Sequence, residues 1–128
     1  MGQNYLIDTN VIIDFSQQRF TPNIARQVAE ILDNTPIISA ITQIELLGFS
    51  IVPQQMKDFV DVADILNISQ SVIFKTIEIR RSYKIKLPDA IIAATALENN
   101  LILLTRNSSD FKKISNLKLE NPYDWQNE

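Results

Sequence analysis

The chain has 128 residues, 45% of them apolar and 21% charged, and a net charge of −3. That length suits one ordinary domain with its own core, and that balance excludes disordered and fibrous architectures. It contains no histidine and no cysteine, which excludes disulfides, thiol nucleophiles, imidazole acid–base relays and the common zinc sites.

A chain without cysteine is expected in a reducing, cytoplasmic compartment. The opening residues MGQNYLIDTN lack the basic segment, apolar run and cleavage site of a signal peptide, and no Ser or Thr stands four places after Gly2 for myristoylation. No apolar stretch approaches the roughly 18–20 residues that cross a bilayer, so no membrane association is expected.

Residues 5–8 read as a short buried strand leading into an apolar helix over 10–17. A second helix is expected over 21–34, where Ile24, Val28, Ile31 and Leu32 recur at helical spacing and Pro22 suits the first turn after a Thr21 cap. Residues 36–39 form a short strand, and 41–50 a helix with Ile41, Ile44 and Leu47 on one stripe. Pro53 starts a helix running to Leu66, with Phe59, Val62, Ala63 and Leu66 inward and Asp58, Asp61 and Asp64 as a solvated row. A brief strand over 67–69 precedes a helix capped by Ser71 or a neighbour and ending near Tyr83. Pro88 then opens an apolar helix over 89–99. Residues 101–105 are an unbroken apolar strand and 117–119 a weaker last one. Short apolar strands alternating with helices belong to a parallel sheet covered on both faces, so the fold class is a three-layer α/β/α sandwich forming one domain over 1–128. Tyr123 and Trp125 are expected to dock the tail, and Asp14 to lie at the surface.

Ligands of open parallel sheets bind beyond the carboxyl ends of the strands. Asp8 ends the first strand, Glu45 follows the second, Asp89 opens a helix and Asp110 lies just beyond the strand 101–105. Gathered in one cleft, these acids repel one another unless a cation intervenes, and an all-oxygen donor set favours Mg²⁺ or Mn²⁺. Each acid also has a structural reading: Asp8 as a helix cap, Asp89 as a first-turn acid favoured by the helix dipole, Asp110 as a loop residue. Glu45 lies among Ile44, Leu46 and Leu47, where an unpaired carboxylate is costly. The cations Arg80, Arg81, Lys84 and Lys86 read as a solvated helix end, with contact to RNA as the alternative; Arg106 stands beside the last acids as a further RNA contact.

The segments LIDTNVIIDF, ITQIELLGF, LPDAIIAATAL and LLTRNSSDF, in that order and over almost the whole chain, resemble the PIN-domain nucleases, especially the VapC-type toxins of bacterial toxin–antitoxin pairs. The resemblance implies a metal-dependent endoribonuclease whose core metal-binding acids are Asp8, Glu45 and Asp89, with Asn10 supporting the first carboxylate and Thr105 lining the site. Many relatives place Asp two residues after the threonine matching Thr105. This chain has Asn107 there and Asp110 three residues further on, so the fourth position falls to one of these two and the metal count stays open. The resemblance also implies a homodimer and an antitoxin partner that wraps the toxin and places a basic side chain in the acidic cleft. Two other readings compete. A phosphatase of haloacid-dehalogenase type wants a second Asp where Asn10 stands, and a degenerate PIN-like module would bind Mg²⁺ or RNA without turnover.

Overall fold

The computed structural model describes residues 4–125. Five strands, β1 (Tyr5–Ile7), β2 (Ile37–Ser39), β3 (Asp64–Leu66), β4 (Ile102–Leu104) and β5 (Leu119–Glu120), form one sheet in the order β3-β2-β1-β4-β5, with every pair parallel. Parallel neighbours need crossovers, and the helices α1 (Thr9–Ser16), α2 (Pro22–Asp33), α3 (Ala40–Leu47), α4 (Gln54–Val62), α5 (Gln70–Ser82), α6 (Leu87–Glu98) and α7 (Ser108–Phe111) supply them. A 3₁₀ turn, Pro122–Asp124, follows the last strand.

Alternation along each strand divides the core into two layers. Leu6 and Leu103 join Val72 and Ile79 of α5, Ala90, Ile92, Ala93 and Ala94 of α6, and Phe111 on one face. Ile7, Ile38 and Leu104 join Val11 and Ile12 of α1, Ile24 and Val28 of α2, Leu46 and Val60 on the other. A one-residue slip would exchange these sets, which is why apolar residues stand at consecutive strand positions: both faces are buried. The expected three-layer parallel fold is therefore the observed one. Side-chain caps set where α1, α3 and α5 begin. Ser39 Oγ accepts from Thr42 N at 3.1 Å, and Ser69 Oγ from Val72 N at 3.2 Å. Asn100 takes the left-handed conformation (φ 53) in the three-residue connection from α6 into β4, a conformation asparagine tolerates.

Several local expectations are corrected. The helix after Pro53 ends at Val62, and residues 64–66 form the edge strand β3. There Asp64 N donates to Pro36 O at 2.7 Å, and Ile65 and Leu66 pair with Ile38 and Ser39. Pairing with a waiting sheet edge thus outcompetes another helical turn, and residues 67–69 become the lead-in to the Ser69 cap. On α4 the inward residue is Val60, whereas Val62 is 68% exposed. On α3 the buried positions are Thr42 and Leu46, and Ile44 faces solvent at 63% exposure. Thr42 is drawn inward because its hydroxyl finds partners in Ser39 and Thr9. Among the described residues no helix is long and apolar enough to cross a membrane.

Candidate active site

β1 and β4 run side by side, so their carboxyl ends deliver Asp8 and Thr105 to the same point. Asp8 N donates to Leu104 O at 2.9 Å. The Asp8 carboxylate caps α1, Oδ1 accepting from Thr9 N at 2.8 Å. Its Oδ2 accepts from Thr105 Oγ1 at 2.8 Å and Asn10 Nδ2 at 3.1 Å. Asp8 is only 5% exposed, and among the described residues no cation pairs with it. Burial pushes its pKa up to about 6; the hydrogen bonds from Thr105 and Thr9 N pull it down, and the charges of Asp89 and Glu45 push it further up.

Glu45 reaches this point from α3, where Thr9 Oγ1 donates to its Oε1 and stands 3.1 Å from Thr42 Oγ1. Asp89 comes from the first turn of α6. Its pKa is raised by burial first, then by the charges of Asp110 and Glu45, with Lys86 opposing. Asp8 at the start of α1, Glu45 in the last turn of α3 and Asp89 at the start of α6 thus feel one another across a cleft of about 590 Å³, lined also by Thr9, Asn10, Ile13, Asp14, Ile44, Gly48, Phe49, Arg106 and Asn107. Among the described residues no three acids converge closely enough to form a ready-made metal cage. The donor chemistry nevertheless fits a hard cation: oxygen ligands only, with a carboxylate whose pKa is raised by burial and further by two others.

The remaining sequence candidates divide by position. Asn107 lines the cleft, and its N–H donates to Thr105 Oγ1 at 3.0 Å. Asp110, exposed on α7, is outside the lining and acts on it through the charge of Asp89. Asn10 donates to Asp8 and accepts from Arg106 N at 2.9 Å through Oδ1. Arg80, Arg81, Lys84 and Lys86 are all exposed and outside the cleft, the first two in the last turn of α5.

Asp14 overturns its expected surface position. It is 1% exposed, accepts from Arg106 Nη1 at 2.9 and 3.0 Å and from Tyr123 OH at 2.8 Å, and lies 4.0 Å from Arg19 Nε. Burial of α1 on nearly every side, visible in the run Val11–Ile12–Ile13, was the available signal that an acid there needs a partner. Tyr123 and Trp125 do dock the tail, Tyr123 stacking 4.8 Å from Phe20 and Trp125 Nε1 donating to Glu120 Oε1 at 3.1 Å. Thr9, which orients Glu45, was not anticipated either. A second cleft of about 610 Å³ opens at the amino ends of the strands, with Glu30 and Glu120 as its acids. Glu120 Oε1 already accepts from Tyr5 OH and Trp125 Nε1, so that end offers no free carboxylate cluster.

This arrangement, a parallel sheet with facing acids beyond β1, in the last turn of α3 and at the start of α6, has known counterparts. The PIN domain family model matches residues 5–117, and the chain belongs to that family. Within it the similarity runs to VapC proteins. "Ribonuclease VapC1" of Haemophilus influenzae (strain R2866) is 28% identical over 134 residues, covering 94% of this chain and 97% of the relative. A toxin–antitoxin complex from Klebsiella pneumoniae superposes with a TM-score of 0.77 at 35% identity, over 95% of this chain and 100% of that one. VapBC2 from Rickettsia felis, bound to a DNA fragment from its promoter, gives 0.74 at 26% identity over 97% of this chain and 100% of that one.

Proposed function

We propose that this chain is a cytoplasmic, metal-dependent endoribonuclease of VapC type, the toxin of a toxin–antitoxin pair. The observation that carries the reading is Asp8: a carboxylate without a cationic partner among the described residues, its pKa raised by burial and further by the neighbouring charges of Asp89 and Glu45. A group held at that cost is expected where a cation completes the site. Asp8, Glu45 and Asp89 would hold Mg²⁺ or Mn²⁺, with Asn107 or Asp110 as the fourth, outer position. The bound ion would supply Lewis acidity toward a phosphodiester and an activated water.

The chain's own residues prepare that site. Thr105 and Asn10 hold Asp8 Oδ2 with two donors, which fixes the carboxylate's plane. Thr9 ties the long Glu45 side chain to the start of α1. Asn10 already donates to Asp8 and accepts from Arg106 N, so it has no acid to offer where a haloacid-dehalogenase phosphatase needs one. Exposed apolar side chains support partner surfaces: Phe74 and Ile77 on α5 for a second copy of the chain, and Ile44, Phe49 and Ile51 beside the cleft for the antitoxin. Lys86 and the arginines of α5 would extend RNA contact from the α6 side.

Purified protein freed of antitoxin is expected to cut RNA with Mg²⁺ or Mn²⁺ and to stop with chelator. Asp89→Asn is expected to keep the fold, by circular dichroism, and lose cleavage. Full activity in Asp89→Asn and in Asp8→Asn would remove the site assignment. Wild-type protein that binds RNA and metal without ever cutting would favour the degenerate reading instead.

A further inference from the structure

Arg106 is the one cationic side chain lining the acidic cleft among the described residues. A phosphodiester entering a pocket lined by Asp8, Glu45 and Asp89, with Asp14 as a fourth carboxylate that Arg106 itself pairs, meets repulsion, so a fixed positive group at that rim has high leverage. Arg106 is held unusually firmly for a residue 46% exposed. Its Nη1 donates to both oxygens of Asp14, its N–H to Asn10 Oδ1, and its carbonyl accepts from Asn121 Nδ2 at 3.0 Å. Among the described residues Nε and Nη2 have no protein partner, which leaves donors for a ligand oxygen.

What holds Arg106 is itself locked. Asp14 is buried on α1, and its Oδ2 accepts from Tyr123 OH at 2.8 Å. Tyr123 packs on Phe20 and belongs to the turn Pro122–Asp124, beyond the residues 5–117 that the family model matches. A chain of hydrogen bonds therefore runs from Asp8 through Asn10, Arg106 and Asp14 to Tyr123. A buried carboxylate could be neutralised by any nearby base. Three anchors on the same arginine, Asp14 on its guanidinium and Asn10 and Asn121 on its backbone, constrain where its free donors lie.

We propose that Asp14 and Tyr123 are positioning residues that hold the Arg106 guanidinium at the cleft rim, where it takes a phosphate oxygen of the RNA strand. The inference rests on the nuclease reading of the cleft and adds to it a clamp contributed by the C-terminal turn. Arginine suits the task because its planar fork binds carboxylate with one edge and phosphate with another.

The test compares wild type, Arg106→Ala, Arg106→Lys, Tyr123→Phe, Asp14→Asn and Asp14→Asn/Arg106→Ala, using a single-stranded oligoribonucleotide for cleavage with Mn²⁺ and for binding in chelator. Arg106→Ala is expected to raise KM and weaken binding about tenfold, as loss of one charge-assisted hydrogen bond does, and to flatten the salt dependence of binding. Tyr123→Phe is expected to move the same parameters about threefold with no shift in the Mn²⁺ concentration needed for half activity. Asp14→Asn is expected to add nothing once Arg106→Ala is present, because it acts through that side chain. Arg106→Lys is expected to recover part of the binding and leave the Tyr123 effect absent. If Asp14→Asn does not fold, Tyr123→Phe against Arg106→Ala gives the same cycle. Additive effects, or Tyr123→Phe and Arg106→Ala that lower only thermal stability, overturn the clamp and leave the nuclease reading intact. Wild-type protein that neither cuts nor binds RNA overturns both.

Discussion

Replacing Asp8 by Asn is expected to stabilise the metal-free protein at pH 8 and destabilise it at pH 4. The ordinary aspartate value of 3.8 rises to about 6 in the fold. Between those values the folded state keeps a proton that the unfolded state releases, so stability falls as pH rises through this window and stays lowered above it. At about 1.4 kcal/mol per pH unit the ionised carboxylate costs about 3 kcal/mol above pH 6. Asparagine removes that cost but keeps a single accepting oxygen, whereas Asp8 accepts from Thr9 N, Asn10 Nδ2 and Thr105 Oγ1. One of these donors then meets the amide group, a loss of about 1–1.5 kcal/mol. The net gain at pH 8 is about 1–2 kcal/mol, or about 5 °C in Tm for a domain of this size. At pH 4 the charge is largely gone in the folded wild type, only the hydrogen-bond loss remains, and the sign reverses. Differential scanning calorimetry in chelator at both pH values reads this directly. Added Mn²⁺ should raise the Tm of wild type at pH 8 and leave Asp8→Asn unmoved. A variant less stable than wild type by the same amount at pH 4 and pH 8 would refute the account, because the charge of Asp8 would then cost nothing.

Thr105→Val keeps shape at a fully buried position but removes the donor to Asp8 Oδ2 and the acceptor for Asn107 N; urea unfolding should show a loss of about 2–3 kcal/mol at pH 8, and a smaller one at pH 4, where Asp8 is largely protonated. Asn107→Ala and Asp110→Ala separate the two candidates for the fourth position. Asn107 lines the cleft and Asp110 does not, so the Mn²⁺ concentration for half-maximal cleavage should rise for Asn107→Ala and change little for Asp110→Ala. A Cβ on Gly48 would lie 2.7 Å from Ile44 O, so Gly48→Ala should shift the end of α3 beside Glu45 and cost about 1 kcal/mol or more, read by thermal unfolding. Phe74→Glu places a charge on the exposed apolar face of α5 and should turn the proposed dimer into a monomer in light scattering; a wild-type monomer would refute the second-copy contact, and a dimer of unchanged mass in the variant would assign it elsewhere.

Much of the architecture was legible because its signals are local. The apolar runs Tyr5–Ile7 and Ile102–Leu104 are buried on both faces, and no helix of two turns fits between their flanking polar residues. Pro22 and Pro88 mark helix starts for the reason that proline costs no hydrogen bond there. Residues 64–66 misled because DIL is compatible with helix or strand, and an edge of β2, 27 residues earlier (Ile38 to Ile65), decided between them. Ile44 and Leu47 misled because an apolar stripe cannot by itself distinguish a core from a surface awaiting a partner.

The candidate site shows the same division. Residue type and strand ends were enough to direct four acids, Asp8, Glu45, Asp89 and Asp110, to one sheet edge, since parallel topology brings carboxyl ends together whatever lies between them, and the family resemblance then singled out Asp8, Glu45 and Asp89. Only the tertiary structure decided which side chains hold those acids: Thr105 from β4 on Asp8, Thr9 on Glu45, and Asp14 turned inward to Arg106 and Tyr123. It also set Asn107 in the cleft and Asp110 outside its lining. The physical reason is range. Hydrophobic period and capping act over a few residues and can be read along the chain. A buried charge finds its partner across about 90–110 residues of sequence, 92 for Asp14 and Arg106 and 109 for Asp14 and Tyr123, and that partner exists only once the strands are side by side.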